Sequence, residues 1–118
     1  MNETEMKART KAFALRVIRL TEALPRTRVA DVLGRQLLRS GTSVGANYRS
    51  ARRAKSNADC INKLAMVEEE ADESGYWIEL LADAGVMSAT RLAALARECD
   101  EITAILVATI MSAKRKTR

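Results

Sequence analysis

The 118-residue chain contains no histidine. That removes the commonest general base and the commonest transition-metal ligand. Ser-His and Cys-His nucleophile pairs are excluded with it. Cysteine is scarce: Cys60 and Cys99 stand far apart, outside any CxxC spacing. Two such isolated cysteines are expected to be buried thiols of a reducing compartment, not a disulfide or a metal site. Aromatic residues make up only 3% of the chain, and proline occurs once. The longest apolar stretch, Ala104 to Met111, is broken by Thr109 and is too short to span a bilayer. The start, Met1-Asn-Glu-Thr-Glu-Met-Lys7, is charged and lacks the apolar segment of a secretory signal. A cytoplasmic protein with no membrane partner is the expectation.

What is present points to helices. Apolar types supply 47% of residues, and alanine alone supplies 20. That is too apolar for a disordered chain, and Ala-rich, aromatic-poor composition favours helix. The length suits a single domain, residues 1–118, with a core that needs no metal or disulfide.

Spacing and punctuation predict four helices, over residues 4–24, 28–55, 57–84 and 88–114, followed by a basic tail. In the first, Phe13, Val17, Leu20 and Leu24 step by four, three and four, and Pro25 ends it. Thr27 is the expected N-cap of the second. Its stripe, Leu33, Leu37, Ser40, Val44, Asn47 and Ala51, runs straight through Gly41 and Gly45. A loop at Ser40-Gly-Thr-Ser-Val-Gly45 competes with a continuous helix, and the unbroken rhythm favours the helix. Small residues there would let another helix come close. Ser56 with Asp59 has capping-box form and opens the third helix. Cys60, Leu64, Val67, Ala71, Ser74, Ile78 and Leu81 form its stripe, and Gly85 suits its C-terminal end. Ser88 opens the fourth, with Leu92, Leu95, Cys99, Ile102 and Leu106 inward. Four amphipathic helices with short links predict an all-α, antiparallel up-and-down four-helix bundle.

The net charge of +5 hides a separation. Residues 1–57 hold thirteen Lys/Arg against four acids, whereas residues 58–110 hold three against eleven. The last eight residues add four more cations. Arg49, Arg52 and Arg53 stand three and four apart and are expected on one face, with Lys55 beside them. With Lys114, Arg115 and Lys116 in the tail, they are the candidate phosphate contacts. The competing reading pairs basic with acidic helices, within the bundle or between subunits. No aromatic platform interleaves with the arginines, which argues against base stacking.

A hairpin of the second and third helices would set Ser40 opposite Ser74, Asn47 opposite Val67, and Arg39 near Glu73. Ser43 then faces Glu70. Arg39, Ser40, Ser43, Asn47, Glu70 and Glu73 form a polar line. It reads either as a two-carboxylate site or as a network that fixes register and assembly. Di-metal bundles draw Glu-x-x-His ligands from several helices, so a chain without histidine favours the network. No catalytic residue, metal ligand or cofactor site is assigned.

The run Leu37-Leu-Arg-Ser-Gly-Thr-Ser-Val-Gly-Ala-Asn-Tyr-Arg49 resembles the signature of the bacterial four-helix-bundle family, also called the 23S rRNA intervening-sequence protein family. Asn62-Lys-Leu64 and Glu70-Ala-Asp-Glu-Ser-Gly-Tyr-Trp-Ile-Glu-Leu-Leu81 resemble its third helix, and Leu24-Pro25 its first turn. Cys60 departs from the aromatic residue usual at that place. The resemblance implies a continuous second helix and a ring-shaped homopentamer. It implies no enzymatic activity, so Arg39, Ser40, Gly41, Ser43, Gly45, Asn47, Glu70, Glu73 and Trp77 carry over as fold or assembly residues. A related branch is the accessory protein of diversity-generating retroelements, which binds a reverse transcriptase and nucleic acid. The expectation is a non-enzymatic oligomer that binds RNA or DNA through basic surfaces. The alternative is an interaction scaffold for a protein such as a reverse transcriptase or an RNA-processing factor, without a nucleic-acid role.

Overall fold

The structure, a computed structural model, describes residues 1–116; Thr117 and Arg118 of the basic tail lie outside the described residues. Four helices follow in order: α1 (Glu3–Glu22), α2 (Arg28–Arg52), α3 (Asn57–Asp83) and α4 (Ala89–Arg115). Helices next to each other in sequence pack together, and α1 closes the bundle against α4. The result is a rod of 49 × 21 × 20 Å. No helix is long and apolar enough to cross a membrane among the described residues.

Local chemistry sets the helix starts. Asn2, Thr27, Ser56 and Ser88 each accept a hydrogen bond from the backbone N–H three residues on. Asp59 does not complete a capping box; its carboxylate lies 3.4 Å from Lys63 one turn later. Gly85, with φ +70°, ends α3 in the left-handed conformation that glycine adopts freely.

The ends need correction. α1 stops at Glu22 rather than at residue 24, because Ala23 and Leu24 turn through i−3 bonds into Pro25. α2 stops at Arg52, and Arg53 and Ala54 donate to the carbonyls of Ser50 and Ala51 at 3.1 and 3.2 Å. Lys55 therefore sits in the link and not on the helix. α2 itself is unbroken through Gly41 and Gly45.

Those two glycines govern the α1–α2 contact. A Cβ on Gly41 would stand 2.9 Å from Val17 Cγ2, and one on Gly45 would stand 3.3 Å from Thr10 Oγ1. Val17 and Thr10 are fully buried against this bare backbone. Thr10 donates its hydroxyl proton to the Met6 carbonyl, at 2.9 Å, so its burial leaves no polar group unpaired. The stripe on α2 is wider than expected. It buries Ala30, Gly34, Leu37, Ser40, Gly41, Val44, Gly45, Tyr48 and Ala51, because α2 touches both α1 and α3. Asn47 and Leu33 fall at its edge, and Tyr48, absent from the expected stripe, is wholly enclosed.

The α1–α4 seam is closed by charge. Arg9 grips Glu98 with two hydrogen bonds, of 2.8 and 2.7 Å, and reaches Glu101 at 2.8 Å. The Arg9 hydrogen bonds hold the Glu98 carboxyl below the ordinary carboxylate range. Cys99 is buried beside this seam and donates to the Ala71 carbonyl at 3.1 Å. Burial, with Asp100, Asp72 and Glu98 nearby, pushes its thiol up to about 12. Cys60 is only half-buried, so the expected burial holds for one cysteine of the two.

The glycines yield a contrast that melting curves can read. Alanine is the better helix former by about 1 kcal/mol at any interior glycine. At Gly75 the nearest atom to an added Cβ is Cys99 Sγ at 3.7 Å, an ordinary contact, so Gly75→Ala should stabilise by up to that amount. Gly41→Ala should instead destabilise by about 1–3 kcal/mol, since Val17 cannot give way in a packed seam. Two substitutions of equal sign would contradict the close-approach account.

Candidate nucleic-acid interface

α2 and α4 both finish at the end of the rod where α1 and α3 begin. Antiparallel order alone therefore brings the sequence-remote cations of residues 49–55 and 114–116 to one end. Lysine and arginine in the last turn of a helix also complement the negative end of its dipole. Asn57 fixes the junction by donating its side-chain N–H to the Ala113 carbonyl, at 2.9 Å. Beside it opens a cleft of about 440 Å³ lined by Arg52, Asn57, Cys60, Thr109 and Lys116.

The candidate cations are not equivalent. Arg49, Arg53, Lys55, Lys114, Arg115 and Lys116 are exposed. Arg52 is half-buried and turned inward: its Nε donates to the Tyr48 hydroxyl at 3.0 Å and lies 3.8 Å from Glu3. Arg52 thus serves the fold first, and the expected shared face reduces to Arg49 and Arg53. Two lysines missed in the sequence join Arg49. Lys7 and Lys11 of α1 line a groove of about 260 Å³ with it, over Gly45 and Ala46. Their spacing of four was the available signal. Lys7 is held at 2.9 Å by Glu3.

The polar line between α2 and α3 divides into a buried part and a surface part. Ser40 and Ser74 are both fully buried, with hydroxyl oxygens 2.8 Å apart. Ser74 Oγ is also 2.8 Å from the Glu70 carbonyl. Each hydroxyl has one proton, so Ser40 donating to Ser74 and Ser74 to Glu70 meets both short distances. Arg39 lies outside this pair. It bonds Glu73 and lies 3.4 Å from Glu70, with half of its own side chain in solvent. Ser43 donates to the Arg39 carbonyl within its own helix, at 2.7 Å. Asn47 is half-buried and takes no part in the Arg39 cluster. Among the described residues no three His, Cys, Asp or Glu side chains converge as metal ligands.

A half-exposed ion pair adds little stability. Glu73→Gln and Glu70→Gln are each expected to change stability by less than about 1 kcal/mol in a denaturant titration. A loss of several times that would place the pair in the core of the fold's energetics and contradict the division above.

The sequence profile described as 23S rRNA-intervening sequence protein matches residues 2–108. Among solved structures, the chain is similar to a protein of unknown function from the S23 ribosomal protein family of Bacteroides thetaiotaomicron. The two are 36% identical, with a TM-score of 0.87 over 94% of this chain and 99% of the other. No curated protein matches the sequence.

Proposed function

The chain belongs to the 23S rRNA-intervening sequence protein family, and from that premise we propose that it is a non-enzymatic oligomer that binds the phosphates of RNA or DNA through its basic end. One observation carries the reading: two basic segments some sixty residues apart in sequence meet at a single end of the rod. Phosphate neutralisation by clustered Lys and Arg is the general basis of sequence-independent binding. The family's name points to rRNA as the first polymer to try.

Self-assembly belongs to the same proposal. α3 exposes Glu69, Asp72, Glu79 and Asp83, whereas α2 exposes Arg28 and Arg49, with Arg53 just beyond its end. Such surfaces are complementary between copies, which supports the homopentameric ring that the family resemblance implies. Trp77 is half-buried, and its buried Nε1 has no acceptor among the described residues. Exposed Tyr76 lies edge-on to it. This face suits burial by a second copy.

Filter binding to a structured RNA at low salt tests the first claim. Arg53→Glu with Lys116→Glu should weaken binding at least about tenfold, and leave melting unchanged. Wild-type protein that fails to bind RNA or duplex DNA would overturn the reading and leave the protein-scaffold alternative. Light scattering tests the second: the ring has five times the 13.0 kDa chain mass, and a monomer across micromolar concentrations refutes it.

A further inference from the structure

The α1–α4 seam holds arginines in two different settings. Near the start of α1, Arg9 is matched by Glu98 and Glu101. Further along, Arg16, Arg19 and Arg91 line one open groove of about 280 Å³, over a floor of Leu20, Ala23, Ala94 and Leu95. No carboxylate lines it. Arg16 contributes to the field on Glu98, but both oxygens of Glu98 are already held by Arg9. None of the three arginines has an ion pair among the described residues.

Arg91 is also placed against local preference. It is the third residue of α4, the position at which a capping box carries Glu or Gln. The first turn of α4 has no acid at all. Helix N-termini carry positive partial charge, so a cation there is unfavourable. Arg19 sits in the last turn of α1, where a cation is favoured, so the unfavourable charge of the groove is that of Arg91, set at the wrong end of its helix beside two like charges. A single anion relieves both faults. Guanidinium forks match phosphate oxygens with paired N–H donors, and the apolar floor suits the carbon skeleton of an ester.

We propose that this groove is a phosphate-ester site, in which Arg16, Arg19 and Arg91 hold the phosphate oxygens. It lies apart from the basic end. It shares the ligand chemistry proposed there, yet it stands even if that end binds nothing. The ester arrives either as a free small phosphate compound or as the backbone of a nucleic-acid strand.

Thermal melting at matched ionic strength tests it, with inorganic pyrophosphate and a short single-stranded RNA as probes. The RNA arm uses the Arg53→Glu, Lys116→Glu background, so that the basic end does not contribute. Arg91→Glu is compared with the parent and with Arg97→Gln, an exposed arginine outside the groove. Without ligand, Arg91→Glu should melt higher than the parent. With ligand, the parent and Arg97→Gln should gain several degrees, and Arg91→Glu less than half as much. Protection by RNA alone assigns a nucleic-acid backbone; protection by pyrophosphate assigns a free phosphate compound. The proposal is overturned by no gain in the parent with either probe, by a gain in Arg91→Glu at least half the parent's, or by a lower unliganded melting point for Arg91→Glu.

Discussion

Val17 rests on the bare backbone of Gly41, and the rest of the bundle depends on that contact. The chain has one Phe and one Trp. Large side chains therefore cannot fill a wide gap between helices, and the core must be made by close approach. Gly41 and Gly45 allow it on the α1 side of α2, and Ser40 against Ser74 allows it on the α3 side. Close packing of small residues recovers dispersion contacts that larger side chains would otherwise supply. Each glycine still costs helix stability of about 1 kcal/mol, so the seam must return more than that. The close approach also sets the register. With Thr10 on Gly45, Lys7 and Lys11 fall beside Arg49, and the start of α1 falls beside the end of α2.

Charge is used sparingly inside that frame. Arg39 ties α2 to α3, and Arg9 ties α1 to α4. The first pair is half in solvent and adds little. The second is more enclosed and two-pronged, and it closes the seam between the first and last helices. Most other cations are left to the surface. A surface of uncompensated like charges lowers the stability of a compact state. Exposed Arg49, Arg53 and Lys116 lie toward one end of the rod, Arg16, Arg19 and Arg91 line a groove away from it, and Arg26 and Arg28 lie at the α1–α2 link.

The helices were readable because steps of three and four persist in every one of them, and because Thr27, Ser56, Ser88, Pro25 and Gly85 punctuate them. The ends were less so. Tightening through i−3 bonds after Arg52 depends on backbone geometry that no residue type signals. Tyr48 was missed for a tertiary reason. The expected stripe follows one face of α2, whereas the helix packs on two neighbours, and Tyr48 lies off that stripe. The inward turn of Arg52 follows from Tyr48 and Glu3, and was equally hidden. Ser40 opposite Ser74 and Arg39 near Glu73 were legible, because hairpin register is simple arithmetic on a short turn. Grouping of Arg16 and Arg19 with Arg91 was not, since it joins the first helix to the last.

Neutralisation of nucleic-acid phosphates by the end of the rod that holds Arg49, Arg53 and Lys116 has a thermodynamic signature. The dependence of RNA affinity on salt tests it most directly. Counterion release makes the logarithm of affinity fall linearly with the logarithm of salt concentration, at about 0.7 to 0.9 per phosphate neutralised. A slope of several phosphates is expected, falling by about one with each exposed cation removed from Arg49, Arg53 and Lys116. A flat dependence, or a slope unchanged when those cations are gone, would contradict it.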